Sequence, residues 1–356
     1  ARAIMTPLLA AQTAPDALLW RDAARLARDH DPAQALQYYA HAMRDNDLLP
    51  SGYAVPRNDD AFTRATRAND ADDWLRRSLR SDAAELYQRQ NPGITLHNDF
   101  WGRSDGTPGM SALQANTTIL QLEHPYGRGR GFVRLEQVFM DAGRFDTDGQ
   151  GTHGEPFGTC ALIACAGGEA QRARGTGFAL GWRGERLAAD IGVTPLGFDV
   201  VDVVGGITYG GKLGQVGWSA TLSRRAMSNS LLSYAGARDP NTGITWGGVR
   251  ATGGSIGLSW DQGGAHGVWS DLGYHRLTGR NVAHNQRIRL MAGYYHRLKN
   301  TAAERLTVGV NTMLWHYAKD LGGYTLGQGG YYSPQRYFSL SLPVSYARRN
   351  DKWSYL

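Results

Sequence analysis

Charged and aromatic side chains alternate with aliphatic ones along several segments after residue 93. Period two is the spacing of an extended strand, whose successive side chains point to opposite faces. Each segment therefore predicts a strand with one aliphatic face and one polar, aromatic face. The residues expected on the polar faces are Arg134 and Glu136; Trp269, Asp271 and His275; Arg287, Arg289, Tyr295 and Arg297; and Asn311, Trp315 and Tyr317.

This mixture of residue types suits the binding of a neutral, hydroxyl-rich polymer. Aromatic rings stack on the faces of sugars, while carboxylates and guanidinium groups hydrogen-bond to hydroxyls. For any single residue a second interpretation stands, because inward charges of a barrel often brace the wall and its tryptophans and tyrosines often lie at the membrane interfaces. The prediction of a pore that binds a polymer therefore rests on the whole set of polar-face residues.

Signs of catalysis are weak in this sequence. It contains neither a GxSxG nucleophile elbow nor an HExxH zinc motif. Asp271, Glu136 and Asp261 could supply carboxylates for glycoside cleavage, but the sequence does not give the separation on which that chemistry depends. The glycine-rich residues 205–214 do not lead into a helix, so they are not a phosphate-binding loop. We predict no enzymatic activity and no cofactor, with an outer-membrane hydrolase acting on lipid or glycan as the alternative.

The only two cysteines, Cys160 and Cys165, lie close together in a glycine-flanked segment. A small disulfide-closed loop in an oxidising compartment is the favoured interpretation, and a pair of free thiols is the alternative. A metal site is the least favoured, because no further cysteine and no well-spaced histidine would complete its ligands.

The formal net charge of +6 is spread over arginines along the whole chain and forms no basic run. We therefore predict no nucleic-acid partner. No stretch of about 18 uninterrupted apolar residues occurs, which excludes a transmembrane helix but not membrane-spanning strands. Residue 1 is alanine and no signal-peptide pattern follows it, so any export signal is expected to have been removed or to lie outside this sequence.

The elements that position the polar faces change type at Gly93, where a helical period gives way to alternation. Short links alternate with long loops near residues 145–173, 225–250, 276–285 and 318–335. Short turns at one end and long loops at the other are typical of bacterial outer-membrane barrels. About twelve strands are predicted, with another opening at the last residues; because such barrels close with an even number, we expect about 16 strands in the native barrel, the closing ones not represented here.

Residues 1–91 are predicted to be helical. Ala35, Tyr39 and Ala42 share one face, and the offsets resemble a tetratricopeptide repeat, with a plain helical hairpin as the alternative. The stretch after residue 73 is amphipathic through Trp74, Leu79 and others, and it is expected to lead into the strands. The predicted domains are therefore 1–91, helical, and 92–356, an all-β antiparallel transmembrane barrel.

Several long and unusual stretches resemble one family. They are NDFWGRSDGTPGMSALQANTT, TPLGFDVVDVVGG, ARDPNTGITWGGVRATGG, WHYAKDLGGYTLGQGGYYSPQ and the loop that holds both cysteines. Together they are similar to the outer-membrane subunit of bacterial cellulose synthase, the cellulose synthase operon protein C family, over nearly the whole chain.

The resemblance implies a periplasmic tetratricopeptide solenoid joined to a 16-stranded barrel that exports cellulose, a β-1,4-glucan, from a Gram-negative cell without catalysis. It implies as partners the glucan chain, the inner-membrane cellulose synthase, its periplasmic subunit, peptidoglycan and outer-membrane lipid. It also makes the segment from Lys319 to Gln335 a candidate gate, because this segment is long enough to fold over the pore and rich in glycine. Its gating candidates are Tyr324, Gln328, Tyr331 and Tyr332.

Overall fold

The structure is a computed structural model that describes residues 7–9, 16–50, 52, 60–69, 71–103, 105–301, 303–349 and 354–355. The chain divides into two compact units, residues 1–94 with 122–131, and residues 95–121 with 132–356. None of the helices in the described residues is long and apolar enough to cross a membrane.

The first unit includes the helices α1 (Ala17–Ala27), α2 (Pro32–Arg44), α3 (Asp60–Ala65) and α4 (Trp74–Gln90). Aspartate side chains cap three of them, because the first turn of a helix leaves backbone N–H groups without partners. Asp16 accepts from Leu19 N (3.0 Å), Asp31 from Gln34 N (3.0 Å) and Asp73 from Arg76 N (2.8 Å).

Small and apolar side chains form the core of this unit. Ala35, Tyr39, Ala42 and Leu79 are fully buried there, as their helical spacing predicts. Trp74 is 63% exposed, with the Arg21 guanidinium 5.4 Å from the ring centroid, so its predicted place on the apolar face is wrong. As the first residue of α4, it precedes the turns that pack.

An arginine fixes the end of α4 within the same unit. Arg130 donates through Nη1 to the carbonyls of Gln88 (3.0 Å) and Arg89 (2.8 Å), and through Nη2 to that of Asn91 (2.9 Å). Its Nε donates to Glu123 (2.9 Å). A cation is favourable at this position, because the last carbonyls of a helix carry partial negative charge and have no helical partner.

The remaining chain is mostly antiparallel strand, which confirms the predicted fold class of antiparallel strands preceded by a small all-α segment. The strands are β1 (Gly93–Arg103), β2 (Leu113–Tyr126), β3 (Gly129–Arg144), β4 (Thr152–His153), β5 (Phe157–Gly158), β6 (Cys165–Ala166), β7 (Ala170–Gly184), β8 (Leu187–Leu196), β9 (Val203–Leu213), β10 (Val216–Ala226), β11 (Ala237–Arg238), β12 (Thr245–Asp261), β13 (His266–Arg280), β14 (Val282–Asn300), β15 (Glu304–Tyr317), β16 (Tyr324–Thr325), β17 (Tyr337–Ser341), β18 (Val344–Arg349) and β19 (Ser354–Tyr355). One further helix, α5 (Leu231–Ala235), lies between β10 and β11.

The main sheet of the described residues has 15 strands in the order β1-β2-β3-β7-β8-β9-β10-β12-β13-β14-β15-β18-β19, with β11 paired to β12 and β17 to β15. Neighbours in this order are mostly neighbours in sequence, so most connections return the chain to the adjacent strand. The strands β17 and β18 both pair with β15 on either side of Leu342-Pro343, where proline cannot donate to the ladder.

The connections sort by length between the two ends of this sheet. Short links at residues 127–128, 185–186, 214–215, 262–265 and 301–303 define what we name the turn end. Residues 104–112, 145–169, 197–202, 227–244 and 318–336 connect strands at the opposite end, the loop end. The loop predicted at 276–285 is wrong: β13 and β14 continue as strands and turn at Asn281, whose φ of 49° is one that asparagine tolerates.

Candidate functional site

The register of β12 to β15 places the predicted polar residues on one face of the sheet. His275 lies opposite Arg287, which lies opposite Tyr317; Arg289 lies opposite Trp315. Trp269 and Asn311 flank Gly293 in the same way. The same-face set on these strands is Asp261, Trp269, Asp271, His275, Arg287, Arg289, Tyr295, Arg297, Asn311, Trp315 and Tyr317, which we name the polar track.

The opposite face of the same strands is aliphatic and aromatic. Its residues have exposed fractions between 42% and 58%, and they are Ile256, Leu258, Val268, Leu272, Tyr274, Ile288, Tyr294, Val310 and Leu314. A water-soluble sheet would bury such a row against a second layer. An exposed aliphatic face beside a polar one is the pattern expected of strands that separate lipid from water.

The polar track lies on the same face of the sheet as Arg225, because Arg225 pairs with Ala251 and Gly253, the next residue on that face, pairs with His275; we name this face the concave face. Strands β1 and β10, which stand well apart in the strand order, contribute His97, Trp101 and Arg225 to a single cavity of about 420 Å³. The predicted site residues Arg134 and Glu136 of β3 line this cavity too, but belong to a different part of the wall from the polar track. Arg134 donates to Gln121 (2.8 Å), and Tyr234 donates to Glu136 (3.4 Å).

Glycines allow two aromatic rings of the polar track to lie flat against the wall. A Cβ on Gly293 would clash with the indole of Trp269, and a Cβ on Gly267 would clash with the ring of Tyr295. The Arg297 guanidinium lies over the Tyr295 ring, 5.0 Å from its centroid, so of these two rings Trp269 is the one that can offer a face on the concave side. Because sugar rings stack on such faces, the Trp269 ring can serve as a platform for a passing polymer.

Salt bridges brace the wall beside these rings. Asp271 pairs with Arg289, and Asp261 pairs with Arg297 (2.6 Å) and accepts a hydrogen bond from Tyr295. The bracing interpretation therefore applies to these charges. Asp261 lies opposite Gly267, four residues along the strand from Asp271, which is roughly 13 Å at the usual strand rise. Carboxylates that cleave glycosides stand about 5 to 9.5 Å apart, so this pair does not fit that chemistry.

Aromatic side chains continue from the polar track to the loop end. The Trp315 ring centroid is 5.6 Å from that of Tyr337 and 6.5 Å from that of Tyr332, and the Tyr317 centroid is 6.2 Å from that of Tyr331. Tyr332 is 54% exposed. The rings form a series from the concave face toward the outside of the loop end.

Three loops at the loop end pack into one body, which we name the loop cluster: residues 145–169, 227–244 and 318–336. Strand β16 pairs in parallel with β5, and the Ser230 hydroxyl donates to the carbonyl of Gly330 (2.6 Å). Phe157 and Tyr331 are buried in its core with Trp246 of β12. A Cβ on Gly330, at φ 63°, would lie 3.0 Å from Leu232 and Ser230, so this contact needs glycine.

Asp239 joins two of these loops. It is 1% exposed, and it accepts hydrogen bonds from Thr159 N (2.7 Å), Thr242 N (2.8 Å) and both threonine hydroxyls. Burial raises the pKa of this carboxyl, but the hydrogen bonds from Thr242 and Thr159 outweigh burial and bring the pKa below its ordinary value. The ionised carboxylate therefore holds the loops together at neutral pH.

The predicted gating segment is part of the loop cluster. Ala283 N donates to the carbonyl of Gly327 (2.8 Å), and Asn285 donates to the Tyr331 hydroxyl (3.0 Å). Burial raises the pKa of Tyr331 to about 12, so its hydroxyl remains neutral. Tyr331 is 1% exposed, Tyr324 and Gln328 are partly buried, and Tyr332 lies outside. The segment is packed into the cluster by these contacts, so moving it requires breaking them.

Cys160 and Cys165 form a disulfide inside the loop cluster. His153 lies beside them, and its ring stacks on Phe145 with centroids 4.1 Å apart. Disulfide sulfurs are not thiolate ligands, so these three residues do not form a metal site.

Sequence reasoning missed Asp239, the wall glycines, and the ion pair of Asp190 with Arg225 (2.5 Å). Asp239 begins the turn sequence Asp-Pro-Asn-Thr-Gly, and aspartate there commonly accepts from the backbone two or three residues on. That signal predicts a turn. It does not predict the second partner, Thr159, which is 80 residues away.

Comparisons with known proteins agree on one family. The family model described as cellulose synthase operon protein C C-terminus matches residues 111–356. Among curated proteins, the chain is 47% identical to cellulose synthase operon protein C of Salmonella typhimurium over 99% of this chain and 30% of that protein. It is 47% identical to that of Escherichia coli K12, over 95% of this chain and 29% of that protein, and 29% identical to one of Komagataeibacter xylinus, over 87% and 24%.

This chain thus spans less than a third of the length of these curated relatives. Among solved structures, OmpT, an outer membrane protein of Vibrio cholerae, matches with a TM-score of 0.29 and 12% identity over 70% of this chain and 92% of that one. That score is too low to bear on function.

Proposed function

Because this chain belongs to the cellulose synthase operon protein C family, matched over its C-terminal region, we propose that it forms an outer-membrane channel through which a cellulose chain leaves the cell. The observation that carries the proposal is the separation of the two faces of β12 to β15. One face exposes aliphatic side chains, and the other carries the polar track with aromatic rings laid on glycines.

The polar track suits a neutral glucan for physical reasons. The Trp269 ring, which packs closely against Gly293 of the wall, offers a stacking face, and the charged groups of the polar track hydrogen-bond to hydroxyls. Contacts of this kind repeat along the strand, so a polymer exchanges one for the next as it slides. In the native protein the sheet closes into a barrel of about 16 strands, because an open sheet edge in hydrocarbon leaves backbone groups without partners.

The helices before the strands serve in this proposal as the periplasmic part, with the domain boundary between residues 91 and 92. They form the end of a tetratricopeptide solenoid that docks the inner-membrane cellulose synthase, its periplasmic subunit and peptidoglycan, while the barrel contacts outer-membrane lipid. The buried row of small residues on α2, with Ala35 and Ala42, supports a repeat in which helices pack closely.

The protein acts in this proposal without catalysis and without a cofactor. The matched relatives are named cellulose synthase operon protein C. Asp261 and Asp271 lie roughly 13 Å apart along the strands, which argues against a hydrolase built on that pair. The loop cluster closes the outer end and opens for the polymer, with Tyr324, Gln328, Tyr331 and Tyr332 in its moving segment.

Cellulose secretion by a strain that carries the full-length gene with single substitutions tests the proposal. Trp269→Ala and Trp315→Ala should each lower the amount of secreted cellulose several-fold, because each removes a stacking face worth about 1 kcal/mol. The matched control is Trp218→Ala, which removes an indole from the aliphatic face, opposite Leu258 of the next strand. Unchanged secretion in both variants, with normal barrel assembly, would refute the stacking role.

A further inference from the structure

Arg287 is an unpaired cation in the polar track. Within the residues that the structure describes, its side chain makes no hydrogen bond and no ion pair, and its Nε is buried. Its partly buried guanidinium stands between His275 on β13 and Tyr317 on β15, just below the loop cluster. Arginines in this position usually have a carboxylate partner, because a partly desolvated charge without a partner is unfavourable.

Further polar nitrogens without a partner surround Arg287. His275 is 8% exposed and its Nδ1 makes no hydrogen bond within the described residues; the same holds for Nε of Arg289 and Nε1 of Trp315. Arg289 and Trp315 lie on the same face one step along the strands, about 7 Å from the first row. The ring of His275 leans over Gly273, with a Cβ there 3.3 Å from its Cε1. Two adjacent rows of the wall therefore present donors that the wall itself does not satisfy.

Neither of the two carboxylates nearest these rows forms an ion pair with Arg287 within the described residues. Asp271 pairs with Arg289, and Asp320 of the loop cluster accepts from Ser333 (3.2 Å) and Gly322 N (3.1 Å). On β12, the residues opposite this part of β13 are Gly253, Ser255 and Gly257, which carry no charge. The positive charge of Arg287 is thus uncompensated on the strands that flank it.

We propose that the wall around Arg287, His275, Arg289 and Trp315 binds an oxyanion of the phosphate or sulfate type. Guanidinium groups are the side chains best suited to such an anion, because their planar N–H donors match two of its oxygens. The Trp315 indole and the His275 ring add donors from both sides. The anion is either a free ion or a charged substituent on a polymer in the lumen, and the chemistry of the site is the same for both.

Calorimetric titration of the full-length, detergent-solubilised protein with inorganic phosphate at constant ionic strength tests this site. Wild-type protein should bind phosphate saturably, and Arg287→Gln should weaken binding roughly tenfold or more, the effect of losing one charged hydrogen bond. The matched control is Arg276→Gln, which removes the same charge from the residue after His275. Arg276 lies on the opposite face of the sheet, next to His284, so this variant should bind phosphate as the wild type does. Heat-modifiable migration on gels establishes that each variant has folded.

Two oligosaccharides distinguish the source of the anion. If a phosphorylated cello-oligosaccharide binds more tightly than inorganic phosphate, and the neutral oligosaccharide does not compete with it, the site binds a charged substituent on a polymer. If inorganic phosphate binds as tightly, the site takes a free ion. Should Arg287→Gln fail to fold, Trp315→Phe, which keeps an aromatic ring but lacks the indole N–H donor, should still weaken binding several-fold. The proposal is overturned if wild-type protein binds neither phosphate nor the phosphorylated oligosaccharide, or if folded Arg287 variants bind both unchanged.

Discussion

At the residue scale, glycines decide how the aromatic side chains of the concave face lie. Trp269 and Tyr295 pack against Gly293 and Gly267, where the absence of a side chain leaves room for the rings. Both rings therefore lie close to the wall, and the Arg297 guanidinium lies over that of Tyr295. This explains why glycines recur among the large residues of these strands.

Gly293→Ala should push the Trp269 indole away from the wall. The added methyl group overlaps both the indole and Asn311, so we expect a loss of about 1–3 kcal/mol in the free energy of unfolding, as in other overpacked sites. Urea unfolding of the protein in lipid vesicles, followed by tryptophan fluorescence, measures it. Gly264→Ala at a turn with open space around it is the control, and equal effects of both would contradict the packing argument.

At the element scale, the loops at the loop end form a packed body with its own core. Phe157, Trp246 and Tyr331 bring three stretches of chain together, and Asp239 links residues 145–169 to residues 227–244. Opening this body requires breaking the hydrogen bonds of a buried carboxylate. The loop cluster is therefore held together by the hydrogen bonds of Asp239 as well as by apolar contacts.

Asp239→Asn should loosen the loop cluster. The amide has one acceptor oxygen, and its nitrogen faces donors, so the variant loses charged hydrogen bonds worth about 1.5–3 kcal/mol each. Proteinase K added outside intact vesicles should cut the loops at least several-fold faster than in the wild type. Asp146→Asn, at an exposed residue at the start of the partner loop 145–169, should leave the rate unchanged. Equal cleavage rates for wild type and Asp239→Asn would show that Asp239 does not hold these loops together.

The strands were predictable from sequence because alternation is a local property. Once residue 288 faces one way, residue 289 must face the other, and the same logic places Val310 and Asn311. Loop contacts are not local: Thr159 meets Asp239, and Ser230 meets Gly330, across 80 and 100 residues. Strand ends were also poorly predicted, since the polar residues 276–285 read as a loop although cross-strand pairing extends them to Asn281.

At the scale of the whole molecule, we propose that the sheet separates lipid from a water-filled lumen. The aliphatic face of β12 to β15 and the polar track are two sides of the same strands, so consecutive residues should meet different solvents. The chain belongs to the cellulose synthase operon protein C family, matched over residues 111–356, and the proposed export of a glucan would need such a separation. The solvent that each face of the strands meets can be measured without any substrate.

Spin labels on β15 of the full-length protein in lipid vesicles test it most directly. The variants are Val310→Cys and Leu314→Cys on the aliphatic face, and Asn311→Cys and Met313→Cys on the concave face; the native cysteines are already joined in a disulfide. If one face meets lipid and the other water, dissolved oxygen relaxes the labels at 310 and 314 more strongly, while a water-soluble nickel chelate relaxes those at 311 and 313. If the chelate reaches both faces equally, or reaches neither 311 nor 313, the sheet does not separate lipid from a wet lumen.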